Sequence, residues 1–317
     1  MVTVIKAIRK SPVLTPSSLA CLSAIPTINL TAGCLHDCAY CYIRGYSTFP
    51  GEGRLILYEN TLEKLRNELV RRHTKPPAVY FSPSSDLFQP ALEVLELSEA
   101  ILKFLFREGI GVAILTKGRI PGHMLQLLID HSELVRAQIG LVSLDEDISR
   151  AFEVNAAPPR RRLEQMEALI AGGVATEARL DPILPTLTDA PESADRLFAA
   201  LAQVGVRRAA AGVLFLRPAI VHSLKRNVPD KAMLARLLGA YQPRERISIR
   251  ANGSSVQTLP LEARQEIFVR MKAAAAAHNI ELSVCACKNP DLARGSCNIG
   301  GTWSRQPPPA VQVPLIR

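Results

Sequence analysis

The chain has 317 residues, 48% hydrophobic and 21% charged, with a formal net charge of +9. That length holds one large domain or two ordinary ones and a sizeable core. Seven cysteines, all but Cys21 in two clusters, are too few for a disulfide scaffold and suit metal ligation in a reducing compartment. The basic balance favours polyanions such as nucleic acid or phosphorylated substrates, and fits equally a protein that is merely basic. No apolar run reaches the roughly 18 residues of a membrane span. Leu19-Ala20-Cys21 follows no apolar stretch and is not read as a lipoprotein cleavage site. The expected location is the cytoplasm, with no membrane partner.

Residues 1–25, with Pro12 and Pro16, read as an extended N-terminal arm. Thr27 to Leu30 is short, apolar and partly β-branched, and reads as the first strand. It ends at a cysteine-rich loop, and 45–53 reads as a glycine- and aromatic-rich surface loop. Leu62, Leu65, Leu69 and Val70 predict a helix over 60–72. Strands are expected at 79–81, 112–115, 135–143, 176–184 and 209–216, separated by helices at 92–108, 121–131, 159–171 and 194–204. Six strands in regular alternation with helices imply parallel pairing through right-handed crossovers. Six units are too few for an eight-stranded barrel, and the pattern alone does not separate a partial barrel from a doubly wound sheet. Beyond Pro218 a helix is expected near 230–241, a strand near 247–249, a helix over 261–278, a strand at 282–284 and an extended proline tail from Gln306.

The cysteine loop reads Gly33-Cys34-Leu35-His36-Asp37-Cys38-Ala39-Tyr40-Cys41-Tyr42. Three cysteines at C-x3-C-x2-C let one short loop wrap three corners of a cubane and leave its fourth iron open. The rival is a zinc knuckle of these cysteines and His36, although zinc favours paired C-x2-C half-sites and this loop has one. Each expected strand end offers polar residues to one edge of the sheet. Ser82, Ser84, Ser85 and Asp86 follow the second strand, Lys117 the third and Ser143 the fourth, with Glu153 beyond it. Arg179 and Asp181 lie near the end of the fifth, and Arg217 closes the sixth. Carboxylates, hydroxyls and cations in this mix suit a zwitterionic nucleoside. Arg160-Arg161-Arg162 reads as a solvated helix start.

The cysteine loop, with Tyr40 before its third thiol, resembles the signature of the radical S-adenosylmethionine superfamily. The resemblance implies a partial (β/α)6 TIM-type barrel over 26–218, with 219–317 as a C-terminal extension. It also implies a [4Fe-4S] cluster on Cys34, Cys38 and Cys41, and S-adenosylmethionine as cosubstrate. Its reductive cleavage would give methionine and a 5'-deoxyadenosyl radical that abstracts hydrogen, with an electron donor such as flavodoxin or ferredoxin. Ser84-Ser85-Asp86, Thr116-Lys117, Ser143, Phe152-Glu153 and Arg162-Leu163 narrow the likeness to the spore photoproduct lyase-related group, over roughly 27–190. By that resemblance Lys117 and Ser143 contact the cosubstrate, and Ser84, Ser85, Asp86, Glu153 and Arg179 are expected to join them from their places near the strand ends. Tyr40 and Tyr42 match two tyrosines implicated in radical relay, and aromatic packing around the cluster is the alternative. The family's hydrogen-donor cysteine after the second strand is missing: Ser82-Pro83-Ser84-Ser85-Asp86 carries no thiol. A relative with a different substrate is therefore expected.

Cys285, Cys287 and Cys297 form a second group, with Gly295 and Gly300-Gly301 beside the last. An auxiliary Fe-S cluster, zinc and free buried thiols are the readings, with Cys21 or a substrate atom to fill the fourth position; Cys287 could instead donate hydrogen. The functional readings are a radical enzyme acting on nucleic acid, one acting on a peptide or small molecule with an auxiliary cluster, and a non-enzymatic metal-bearing nucleic-acid-binding module.

Overall fold

The computed structural model describes residues 2–17, 20–249, 255–294 and 297–303. The expected proline tail from Gln306 and the flanking Gly295 lie outside them. In chain order, the first elements are β1 (Thr3–Ala7), β2 (Thr27–Ile28), β3 (Thr31–Ala32), β4 (Arg54–Tyr58) and helix α1 (Thr61–Val70). The alternating body follows: β5 (Ala78–Phe81), α2 (Leu92–Arg107), β6 (Gly111–Thr116), α3 (Gly122–Asp130), β7 (Val135–Gly140), α4 (Glu146–Phe152), α5 (Pro159–Ala171), β8 (Ala175–Ile183), α6 (Pro191–Gln203) and β9 (Arg208–Val213). The last elements are α7 (Pro218–Asn227), α8 (Lys231–Gly239), β10 (Glu245–Ser248), β11 (Ser255–Thr258), α9 (Leu261–Ala277) and β12 (Glu281–Val284).

One seven-stranded sheet organises the chain, in the order β12-β9-β8-β7-β6-β5-β2. Every neighbouring pair in it is parallel. The six expected strands are present in sequential order, as right-handed crossovers demand. A seventh, β12, comes from residues expected as an extension and pairs with β9. The sheet has β2 and β12 at its two ends, so it is an open, partial TIM-type architecture and not a closed barrel. Two smaller sheets, β1-β4-β3 and β10-β11, sit beside it. Thus the expected N-terminal arm contributes a strand, β1, which pairs in parallel with β4.

The two faces of the large sheet differ. Val79, Phe81, Val112, Ile114, Ile139, Leu180 and Ala211 join the main core with the helices. The alternate residues, Ala78, Tyr80, Ala113, Leu115 and Ala210, pack instead with Leu22, Ile25, Cys285, Cys287, Cys297, Ile299 and Trp303. This is the period-two alternation of a strand buried on both faces. Alanines on the second face leave space for another layer, and the chain around 285–303 fills it. Trp303 lies so close to β6 that a Cβ on Gly111 would meet its ring at 2.2 Å. No helix among the described residues is long and apolar enough to cross a membrane.

Candidate active site at the cysteine loop

The cysteine loop begins where a side chain is not tolerated. Gly33 has φ +87°, and a Cβ there would lie 2.9 Å from both the Arg54 carbonyl and the Pro50 ring. From that turn the loop crosses the C-terminal edge of the large sheet, where loops of parallel α/β architectures carry their chemistry. Backbone and buried polar side chains pin it. The Leu35 amide donates to Gln89 Oε1 at 2.7 Å, and the Ala39 amide donates to the Phe152 carbonyl at 2.8 Å. Asn155 Nδ2 donates to the Leu35 carbonyl at 2.9 Å. Arg44 closes the far side, donating to the carbonyls of Cys38 and Asp37 at 3.2 and 3.1 Å.

Asp86 is the hub of this arrangement. It is buried, and its carboxylate takes His36 Nε2 at 3.2 Å, the Thr116 hydroxyl at 2.8 Å, and the amides of Lys117 and Phe88 at 2.9 and 2.8 Å. Burial alone would raise its pKa, but His36 and these donors hold it below the usual carboxylate range. One carboxylate thereby fixes the cysteine loop to the ends of β5 and β6.

A second buried group lies beside it. Tyr40 donates its hydroxyl to Glu153 Oε1. Arg162 Nη2 meets Glu153 Oε2 at 2.5 Å, with both side chains almost wholly buried. Arg162 also donates to the carbonyls of Ala157 and Gly140 at 2.6 and 2.9 Å. The solvated helix start therefore holds for Arg160, but Arg162 is core; its partner across the edge of the sheet decides this. Lys117 Nζ lies 4.0 Å from Glu153 Oε1, 3.3 Å from the Asp181 carbonyl and 5.5 Å from the Tyr40 ring centre. Burial would raise the Glu153 carboxyl, and the Arg162 and Lys117 charges outweigh it and hold it low.

The three loop thiols fit an iron-sulfur cluster as a donor set. All are free and gathered on one loop. Burial raises each thiol, most plainly Cys34, where Asp86 adds to it, and Cys38, pushed up to about 12 by burial and Glu153. They stay protonated until a metal displaces the proton. Among the described residues no group of three or more His, Cys, Asp or Glu stands in finished metal-ligand geometry, so a metal would have to draw these sulfurs in.

The other expected site residues divide. Ser84 donates its hydroxyl to Asn29 Oδ1 at 3.0 Å, while the hydroxyls of Ser82 and Ser85 are buried without a hydrogen-bond partner. Ser143 Oγ accepts the Asp145 amide at 3.0 Å. Tyr42 donates to the Pro83 carbonyl and meets Tyr46 edge-on at 5.8 Å. Arg179 stands apart from the loop. It donates to Cys297 Sγ at 3.1 Å and pairs with Asp181 at 2.8 Å. Residues 28–199 match the Radical SAM superfamily.

The chain belongs to the radical SAM superfamily. The superfamily implies a [4Fe-4S] cluster and S-adenosylmethionine. An uncharacterized protein of Mycobacterium tuberculosis (strain H37Rv) is 31% identical over 189 residues, covering 56% of this chain and 55% of that relative. A radical SAM Nα-GlyT isomerase of Pseudomonas phage M6 is 25% identical over 173 residues, 54% of this chain and 35% of that protein. The chain thus spans about half the length of the mycobacterial relative it matches. In fold it is similar to a spore photoproduct lyase variant with bound AdoMet and dinucleoside spore photoproduct. The TM-score is 0.67 at 17% identity, over 89% of this chain and 81% of that one. A radical SAM methyltransferase from Sphaerobacter thermophilus matches with TM-score 0.52 at 12% identity, over 82% of this chain and 66% of that one.

Gln89 and Asn155 are the loop-pinning residues that sequence reading missed. Each acts through a partner far along the chain, and the sequence offers no local signal for that.

Proposed function

We propose that this chain is a radical SAM enzyme that holds its cluster on Cys34, Cys38 and Cys41 and acts on nucleic acid, with 26–218 as the catalytic unit and 219–317 as a C-terminal extension. When bound, the reduced cluster supplies the electron that splits S-adenosylmethionine and so yields a hydrogen-abstracting 5'-deoxyadenosyl radical. The chain's own residues position that event. Lys117 offers its ammonium to a carboxylate at the edge of β6. Ser82, Ser85 and Ser143 offer hydroxyls to ribose or ammonium groups, and the two buried orphan hydroxyls need such a partner. Asp86 and Glu153 are positioning residues, because their oxygens are engaged by His36, Thr116, Tyr40 and Arg162. Of the two relay candidates, Tyr40 has a carboxylate ready for its proton, whereas Tyr42 gives its hydroxyl to a backbone carbonyl. An electron donor such as flavodoxin or ferredoxin completes the reaction.

The observation that carries the nucleic-acid reading is a cleft of about 590 Å3 beside the cysteine loop, where Arg44, Arg54, Arg226 and His222 outnumber the one carboxylate, Glu52, which pairs with Arg44 at 2.6 Å and with Arg226 at 3.3 Å. Arg44 belongs both to this cleft and to the loop's own hydrogen bonds. Guanidinium groups at such a wall suit phosphates. Reduced, reconstituted protein should form 5'-deoxyadenosine faster with single-stranded DNA present. The stimulation should fall steeply with salt and be largely lost in Arg54→Ala/Arg226→Ala. DNA without effect on 5'-deoxyadenosine, or an effect indifferent to salt, would sink the nucleic-acid reading and favour a peptide or small molecule.

A further inference from the structure

The second cysteine group is not three thiols but four. Cys21, from the N-terminal segment, has its sulfur 3.6 Å from that of Cys287. It also has Cys297 as a side-chain partner, and Cys285 is partnered in turn by Cys287 and Cys297. Cys285, Cys287 and Cys297 share one buried cluster with Cys21 packed against it, so three stretches of chain bring the four thiols together. All four are free thiols, and the three C-terminal ones are buried. They lie on the face of the sheet away from the helices, against Tyr80, Ala113 and Ala210.

The spacing of the sulfurs discriminates between the metals this group could hold. Four thiolates around a single zinc, each at about 2.3 Å, form a tetrahedron whose edges are about 3.8 Å. Thiolates on a cubane stand on four different irons and lie on the order of 6 Å apart. The 3.6 Å separation of Cys21 and Cys287 is close to the first and far from the second, and the four sulfurs, not in finished metal-ligand geometry, would be drawn together by the metal. The surroundings suit an anionic centre. Arg179 Nη1 donates to Cys297 Sγ at 3.1 Å, and Lys288 follows Cys287 directly. Asp181 lies between the two cations, 2.8 Å from Arg179 and 2.6 Å from Lys288, leaving the shell with a net positive charge.

We propose that Cys21, Cys285, Cys287 and Cys297 form a mononuclear, four-thiolate zinc site that fastens the N-terminal segment and the C-terminal strap onto the inner face of the sheet. A four-coordinate thiolate zinc is closed and redox-inert, so its contribution is to structure. The site takes no part in electron transfer.

The test is zinc and iron analysis of the anaerobically purified full chain, with zinc-edge X-ray absorption. The expected result is about one zinc per chain with four sulfur neighbours at about 2.3 Å. Cys34→Ala/Cys38→Ala/Cys41→Ala should keep that zinc, lose its iron and give no paramagnetic signal with dithionite. Cys21→Ser should lose most of the zinc. About four irons per chain in the triple variant would overturn the proposal. So would a zinc shell with fewer than four sulfurs, or four thiols of the native protein open to alkylation with no zinc bound. The absorption measurement uses the unaltered protein, so its outcome does not depend on any variant folding.

Discussion

At the scale of single residues, the site rests on two buried carboxylates that hold other residues in place. Glu153 and Arg162 are nearly inaccessible and 2.5 Å apart. Glu153→Gln keeps the shape but strands the Arg162 charge, which costs about 3–5 kcal/mol. Urea unfolding should show that loss, and Arg162→Met in the same chain should restore part of it, because the two changes share one interaction. The same pair sets an acid limit. The Glu153 carboxyl is held below its ordinary value, so its contribution is fully present above about pH 4.3, the unfolded-state value, and is lost as pH falls through the lower folded one. The stability of Glu153→Gln should therefore fall less steeply below that pH than that of the native chain. Asp86 and Lys117 are expected just after strands and stand there, whereas Glu153 caps the C-terminal end of α4. Arg162 stood out only through the family resemblance, because a run of three arginines says nothing about which one faces a buried carboxylate.

At the scale of elements, helix and strand periodicity identified every long segment of the large sheet. It missed β1, β3 and β4, which are short and take their stability from pairing with one another. It also missed α4 and α7, of seven and ten residues. Pro218 reads as the stop after a strand, yet it is the first residue of α7, where proline is well tolerated. The inner face of the sheet was the least legible feature. Small residues such as Gly111, Ala113 and Ala210 look unremarkable in sequence, and only the folded chain shows what lies over them. Trp303, the single tryptophan of the chain, reports on that layer directly. Gly111→Ala should push its ring off β6, shift its emission to longer wavelength and raise its quenching by acrylamide. Unchanged emission and quenching would mean that the strap does not pack there.

At the scale of the whole molecule, an open parallel sheet presents two groups of cysteines at different depths. The loop group lies over its C-terminal edge, and the four-thiol group lies against its inner face. Sequence reading found the first outright, because the spacing within one loop carries the signal. It grouped three members of the second, named Cys21 as one candidate for the fourth position and left the chemistry open, because only the fold brings Cys21 beside them. The basic balance, +9 overall, gains meaning where arginines line a cleft beside the loop. The central claim is that Cys34, Cys38 and Cys41 carry the reaction. It is tested most directly by measuring 5'-deoxyadenosine and loop-bound iron in reconstituted, dithionite-reduced protein given S-adenosylmethionine. Native protein is predicted to release 5'-deoxyadenosine, and Cys38→Ala to release none and to lose that iron. Undiminished release from Cys38→Ala, or none from native protein with its iron in place, would contradict the account.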